Sequence, residues 1–291
     1  MTVTVDEIAS QPAIWRAALQ RVDARALARA GEHVLVIGCG SSEFVAESLA
    51  ALRERAGLGA TDAAYASEPW PRRDYDTVVA LSRSGTTTEV LAALEALPRG
   101  VRTVAVTGVP NSPIARVADE VVDLEFVDER SVVQTRFPTT VLLLARAAFG
   151  EDVAGLPDEA EALLAGDGPA GPDPADYDHY VYLGTGWTRG LANEAALKIR
   201  EAAQAWAESY PALDYRHGPL AVAGPRSHVW TFGVADESLA ADIRTTGATV
   251  RIGRGDPLVE LIGAQLLAVG LARLRGLDPD NPRHLTRSIV L

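Results

Sequence analysis

One pattern occurs twice and restricts the chain to few folds. HVLVIGCGSS around Gly38 and YVYLGTGWTRG around Gly184 are each an apolar run of strand length that ends in a Gly-x-Gly turn and passes into a helical pattern. A strand that enters a glycine turn and then a helix opens a βαβ unit, and such units build parallel sheets. Two of them, well separated in 291 residues, predict two successive open α/β units of similar plan and an internal duplication.

The intervening sequence fills in both units. TVVALS leads into a hydroxyl-rich turn at residues 82–88 and the helical EVLAALEAL. VRTVAVTGV, a short helix near residues 114–118 and EVVDLEF continue the first unit, and TRFPTTVLLLARAAFG predicts its closing helix. In the second, HVWTFGVA and ATVRIG read as strands, with ESLAADIRTTG and PLVELIGAQLLAVGLARLRG as helices. Gly, Pro and acids dominate the stretch between, so a linker carrying one short helix is expected there. The predicted organisation is a helical lead-in over residues 1–30, a first α/β subdomain over 31–150, a linker over 151–177 and a second subdomain over 178–291. Periodicity at Ile14, Ala18 and Val22 makes residues 11–30 one helix of the lead-in. The fold class is α/β, as two tandem doubly wound parallel sheets.

Charge and composition remove several functions. A net charge of −12 with no cluster of Lys and Arg argues against nucleic acid, whose backbone needs one. Any bound phosphate must then be held by local groups. The single cysteine, Cys39, leaves no disulfide framework and no cysteine-rich zinc site, and fits a reducing cytoplasm. The histidines at 33, 179, 217, 228 and 284 lack ligand spacing, so no metal is predicted. The first twenty residues lack the basic and apolar regions of a signal peptide. The longest apolar runs, near Val141 and from Leu261, read as too short for a bilayer, so no membrane role is expected. Glu43 and Arg189 occupy the third-glycine positions of the two Gly-x-Gly turns, and no phosphate-loop motif occurs; a nicotinamide or ATP enzyme is therefore not predicted.

Open parallel sheets bind ligands at the carboxyl ends of their strands, near a switch in strand order. In the first unit those ends carry Ser41, Ser42, Ser82, Ser84 and Thr87; the second has Trp187 and Thr188 where the first has its serine pair. Short hydroxyls beside free helix N-termini can hold a phosphate, and they can equally do no more than cap helices. Cys39 reads as a small turn residue rather than a nucleophile, having no identifiable base. The other chemistry-bearing stretch is residues 193–221, which read as a long helix ending in a loop with His217. At about 100° per residue, Glu194, Lys198, Glu201 and Glu208 share one stripe, opposite Ala195, Ile199, Ala202 and Trp206. That stripe is either a solvated face with an ordinary i,i+4 ion pair or a cluster of catalytic acids and base.

GCGSS, SRSGTT, the stretch EAALKIREAAQAWAESYPALDYRHGPLA and the tail NPRHLTRSIVL, in this order, resemble the sugar isomerase (SIS) domain family. The likeness is above all to the isomerase half of glutamine:fructose-6-phosphate aminotransferase and the galactosamine-6-phosphate deaminase/isomerase group, and it spans about residues 31–291. The resemblance implies two flavodoxin-like SIS subdomains, each with a five-stranded parallel sheet, and a phosphorylated sugar as partner. It also implies no cofactor, and a homodimer whose subunits complete each other's sites. Carried over by position, it puts phosphate on Ser42, Ser82, Arg83, Ser84 and Thr87, with Ser41 beside them. Gly40, Val132 and Arg287 become further substrate contacts. It makes Glu201 the catalytic carboxylate, Lys198 its neighbour and His217 the ring-opening group, donated across the dimer. Arg136 and Arg287 stand where the aminotransferase half has lysines, and a guanidinium forms no Schiff base. No glutaminase segment is present in the sequence, so nitrogen transfer from glutamine within it is not expected. The expected reaction is isomerisation or deamination of a hexose 6-phosphate or amino-hexose 6-phosphate. A non-catalytic phosphosugar sensor and a glycated-amine deglycase stay open as alternatives.

Overall fold

The computed structural model describes residues 2–70, 73–166, 173–233 and 236–291. Residues 167–172 of the expected linker and 234–235, at the end of an expected strand, lie outside them.

Two short helices lead in. α1 (Val3–Ala9) is tied to the far end of the chain, where the Asp280 carboxylate accepts from Val3 N and Thr4 N at 2.7 and 2.8 Å. α2 (Gln11–Arg21) buries Trp15 completely. The single helix expected over 11–30 stops early, because Val22 is extended and a 3-10 turn (Arg25–Leu27) follows.

The first sheet runs β1 (Val34–Gly38), α3 (Ser41–Arg55), β2 (Thr61–Tyr65), β3 (Thr77–Leu81), α4 (Thr88–Glu95), β4 (Arg102–Thr107), α5 (Pro113–Val117) and β5 (Glu120–Asp123). Its strand order is β2-β1-β3-β4-β5, all parallel. α6 (Arg136–Ala148) closes this unit, and α7 (Leu156–Ala165) lies within the expected linker, with Leu156 and Ala160 buried in the core.

The second sheet runs β6 (His179–Gly184), α8 (Thr188–Ala203), β7 (Trp206–Pro211), β8 (Ser227–Phe232), α9 (Glu237–Thr245), β9 (Thr249–Ile252) and α10 (Pro257–Leu274), with order β7-β6-β8-β9. This too is parallel throughout. The molecule is therefore α/β with two tandem doubly wound sheets. In each, the chain leaves the central strand to one side, returns, and continues on the other, so the switch points lie between β1 and β3 and between β6 and β8. One expectation is corrected: the second sheet has four strands among the described residues, not five. After Ile252 a glycine-containing turn delivers the chain to Asp256, whose carboxylate caps α10 through Leu258 N at 2.9 Å, before another extended run can form.

α3, α6, α8 and α10 carry one core shared by both sheets, from Val36 and Leu49 through Phe137 to Tyr182, Trp230 and Ala268. α10 corrects a further expectation. At 18 residues with mean hydropathy 1.5 it is long and apolar enough to cross a membrane, yet 67% of it is buried inside the protein. It is a core helix, apolar on most of its faces because most of it is surrounded.

Candidate active site

The sequence builds the first-sheet switch point from glycines that admit no side chain. A Cβ on Gly38 would lie 2.6 Å from the Ser42 carbonyl carbon, so α3 starts directly against β1. Gly85, at φ +64°, turns the β3–α4 loop; a Cβ there would sit 1.9 Å from Ser112 Oγ. The two turns bring Ser42, Ser82, Ser84 and Thr87 into one cleft with Gln134 and Arg287. Ser82 Oγ accepts from Gly85 N at 3.1 Å and lies 3.2 Å from Thr87 Oγ1. Ser84 Oγ accepts from Thr86 N at 3.3 Å and from Thr86 Oγ1 at 3.1 Å, which leaves its own proton free to donate. Cys39 lines the same cleft, and burial, reinforced by Glu89, pushes its thiol up to about 11, so it is no nucleophile at neutral pH.

Not every residue expected at the phosphate presents its side chain there. The Arg83 guanidinium is buried and donates to the carbonyls of Ser131 at 2.9 Å, Val132 at 3.4 Å and Arg287 at 2.7 Å, beside Glu129 Oε2 at 3.8 Å. It fastens the cleft wall, and Val132 meets it through its carbonyl. Arg287 pairs with Asp128 and donates Nε to Glu129 O at 2.9 Å. Arg136 likewise serves structure, donating to Val127 O at 3.2 Å, Asp128 O and Ser10 Oγ at 3.1 Å. Gly40, at φ +57°, starts α3. Ser41 turns away from the cleft and accepts from Lys198 Nζ at 3.0 Å.

That bond joins the serine turns to α8. Lys198 is 1% exposed, and its Nζ lies 2.7 Å from Glu201 Oε2 and 3.2 Å from Glu194 Oε1. The charged stripe is therefore no solvated face. Burial alone would lower the ammonium's pKa, but Glu194 and Glu201 outweigh it and hold it above the ordinary lysine range. Glu194, fully enclosed, is pushed up by burial against the pull of Lys198. Glu201 is the member that reaches solvent, at 21% side-chain exposure.

The expected long helix is the main correction. α8 ends at Ala203, with Gln204 left-handed at φ +49°, and residues 206–211 form the edge strand β7. Glu208 therefore leaves the stripe and meets His179 Nε2 at 3.2 Å and Trp206 Nε1 at 3.1 Å, while Trp206 is 69% exposed instead of packed. His217, exposed, ends a 3-10 turn (Leu213–His217) and makes no hydrogen bond or ion pair among the described residues. Within one chain it does not join the lysine cluster.

At the second switch point, Trp187 is buried under the guanidinium groups of Arg55 and Arg146, 5.8 and 5.1 Å from its ring. Arg146 is taken by both oxygens of Asp256 at 2.8 Å. The cations there are paired, and the serine and threonine cleft is on the first sheet. Two side chains near the first site escaped the sequence reading: Gln134, and Glu43, which burial and then Glu47 raise to about 7. Glu43 drew notice only as an obstacle to a dinucleotide, and no spacing pointed to Gln134.

Residues 26–149 match the SIS domain family. The chain carries a SIS domain. The glutamine--fructose-6-phosphate aminotransferase of Pyrobaculum aerophilum is 30% identical over 90% of this chain and 52% of that enzyme. The enzyme of the same name from Aeropyrum pernix is 29% identical over 99% and 55%. The chain thus spans about half the length of those relatives. The crystal structure of glucosamine-6-phosphate deaminase from Thermotoga maritima superposes with a TM-score of 0.86 over 100% of both chains, at 26% identity. Tagatose-6-phosphate ketose/aldose isomerase from Escherichia coli, at 20% identity and TM-score 0.81 over 99% and 96% of the two chains, shares the fold.

Proposed function

We propose that this SIS protein is a phosphosugar isomerase or deaminase, acting on a hexose 6-phosphate or a 2-amino-hexose 6-phosphate. One observation carries the reading: a buried lysine between two carboxylates, bonded through Ser41 to the turns that form a hydroxyl-lined cleft. Phosphate docks on the free hydroxyls and places the sugar's carbonyl end toward Glu201. His217, supplied by a second copy of the chain, moves a proton between the ring oxygen and the anomeric hydroxyl to open the ring.

Glu201 then removes the proton from the carbon beside the carbonyl, and the electron pair moves to form an enediol or enolamine. Lys198 offsets the charge that develops on oxygen. Returning the proton to the neighbouring carbon gives the ketose from an aldose. From an amino sugar it gives a ketimine, and water then displaces ammonia. No oxidant or reductant enters this balance. The names of the aminotransferase relatives and of the Thermotoga deaminase support a 6-phosphorylated hexose skeleton.

The test is exchange with deuterated solvent of the C2 proton of an aldose, or the C1 proton of a ketose, followed by NMR over a panel of hexose and amino-hexose 6-phosphates, with an ammonia assay alongside. Wild type is expected to exchange at least one of them, and Glu201→Gln to slow exchange by about 10²–10⁴-fold while still binding. Binding without exchange in both forms would make the protein a sensor.

A further inference from the structure

Gln134 lines the serine cleft, and its side-chain amide makes no hydrogen bond among the described residues; Oε1 is buried and without a partner. An orphaned buried amide oxygen is uncommon and calls for a reason. Slack in the backbone is not the reason, because the segment around it is pinned on every side. Glu129 Oε1 accepts from Thr135 N at 2.6 Å, Thr135 Oγ1 at 2.8 Å and Arg136 N at 2.8 Å. Arg130 N donates to Glu7 Oε1 at 2.6 Å, Ser131 Oγ to Val133 O at 2.7 Å, and Arg83 holds the Ser131 carbonyl. A rigid frame thus holds an unpaired amide beside a cleft whose arginines, Arg83 and Arg287, bond to the protein's own oxygens through two nitrogens each.

We propose that Gln134 is a substrate-recognition residue, its N–H donating to a phosphate oxygen and its carbonyl accepting from the adjoining sugar hydroxyl. The inference rests on the phosphosugar reading above and assigns this residue a place within it. A neutral donor suits the cleft: a dianion there draws protons from Ser42, Ser84 and an amide, since Arg83 donates both Nη groups to protein carbonyls and Arg287 donates Nε and Nη2 to Glu129 O and the Asp128 carboxylate. It also makes a sharp prediction about charge. Glu in place of Gln keeps the shape and sets a carboxylate against the phosphate.

Binding of a hexose 6-phosphate, the unphosphorylated hexose and inorganic phosphate is measured by calorimetry for wild type, Gln134→Glu and Gln134→Leu, with unliganded melting curves to establish folding. The expected result is that Gln134→Leu weakens the hexose 6-phosphate by about 10- to 100-fold. Gln134→Glu should weaken it further and also lose inorganic phosphate, an order that a structural role would not produce. If Gln134→Leu does not fold, Gln134→Asn replaces it. Folded variants that bind the hexose 6-phosphate as wild type does would overturn the role of Gln134 and leave the proposed function standing. Wild type that binds neither phosphate compound would overturn both.

Discussion

At the residue scale, the site depends on charges buried in company. Lys198 holds two carboxylates in place, and removing its ammonium leaves Glu194 enclosed without a counter-charge, a change of the kind that costs about 3–5 kcal/mol. Lys198→Met is therefore expected to lose both turnover and several degrees of Tm, whereas Glu201→Gln keeps stability. Glu43 tests burial by pH. Its folded pKa of about 7 lies above the ordinary glutamate value, so the folded state binds the extra proton and the contribution to stability is present at low pH and lost as pH rises through 7. Glu43→Gln removes that loss. Its stability relative to wild type should rise by up to about 3 kcal/mol between pH 4.5 and 8, and a flat difference in urea melts would show that Glu43 titrates normally. His228 works oppositely: burial, then Arg251, lower it to about 4, so stability is lost as pH falls from 6.5 toward 4. The two effects offset each other in wild type near pH 5–6, which is why the variant difference is the measurement to make.

At the element scale, α3 and α8 cross at a glycine. A Cβ on Gly190 would lie 2.2 Å from both Phe44 O and Ser48 Oγ, so the helix axes approach as closely as backbones allow. The same pair carries Ser41 and Lys198, and the crossing sets the 3.0 Å bond between them. Gly190→Ala is expected to part the helices, costing about 1–3 kcal/mol and lowering kcat more than it raises KM. Thermal melts and steady-state kinetics decide it; an unchanged Tm would mean that the crossing has slack. The break between α8 and β7 shows two preferences competing. The sequence through Trp206 keeps helical periodicity, but pairing with β6, in which Val181 faces Glu208, recruits it into the sheet once Gln204 turns the chain.

At the scale of the whole molecule, the duplication is architectural while the chemistry is divided. The first sheet supplies free hydroxyls and α8 supplies the acids and base, which the shared core of α3, α6, α8 and α10 holds together. His217 stands outside this arrangement, exposed on its turn. If a second copy donates it, two inactive variants should rescue each other. Mixing Glu201→Gln with His217→Asn under subunit exchange would yield hybrids with one intact site, restoring about a quarter of wild-type activity. No recovery, or a fully active monomer by sedimentation, would remove the cross-subunit role.

Much of this was legible in the amino-acid order because it is local. Alternating apolar strands and helices, two glycine turns and the serines beside them follow from short-range sterics and periodicity, and they determined the α/β class, the duplication and which half carries the hydroxyls. Position in space is another matter. Whether a charged stripe faces water or core, whether 206–211 extends or coils, and whether Arg83 points into the cleft or away from it depend on partners more than a hundred residues distant or on another strand. Gln134 left no mark in the sequence for the same reason: an unpaired amide is defined by what packs around it, and only the assembled tertiary structure decides that.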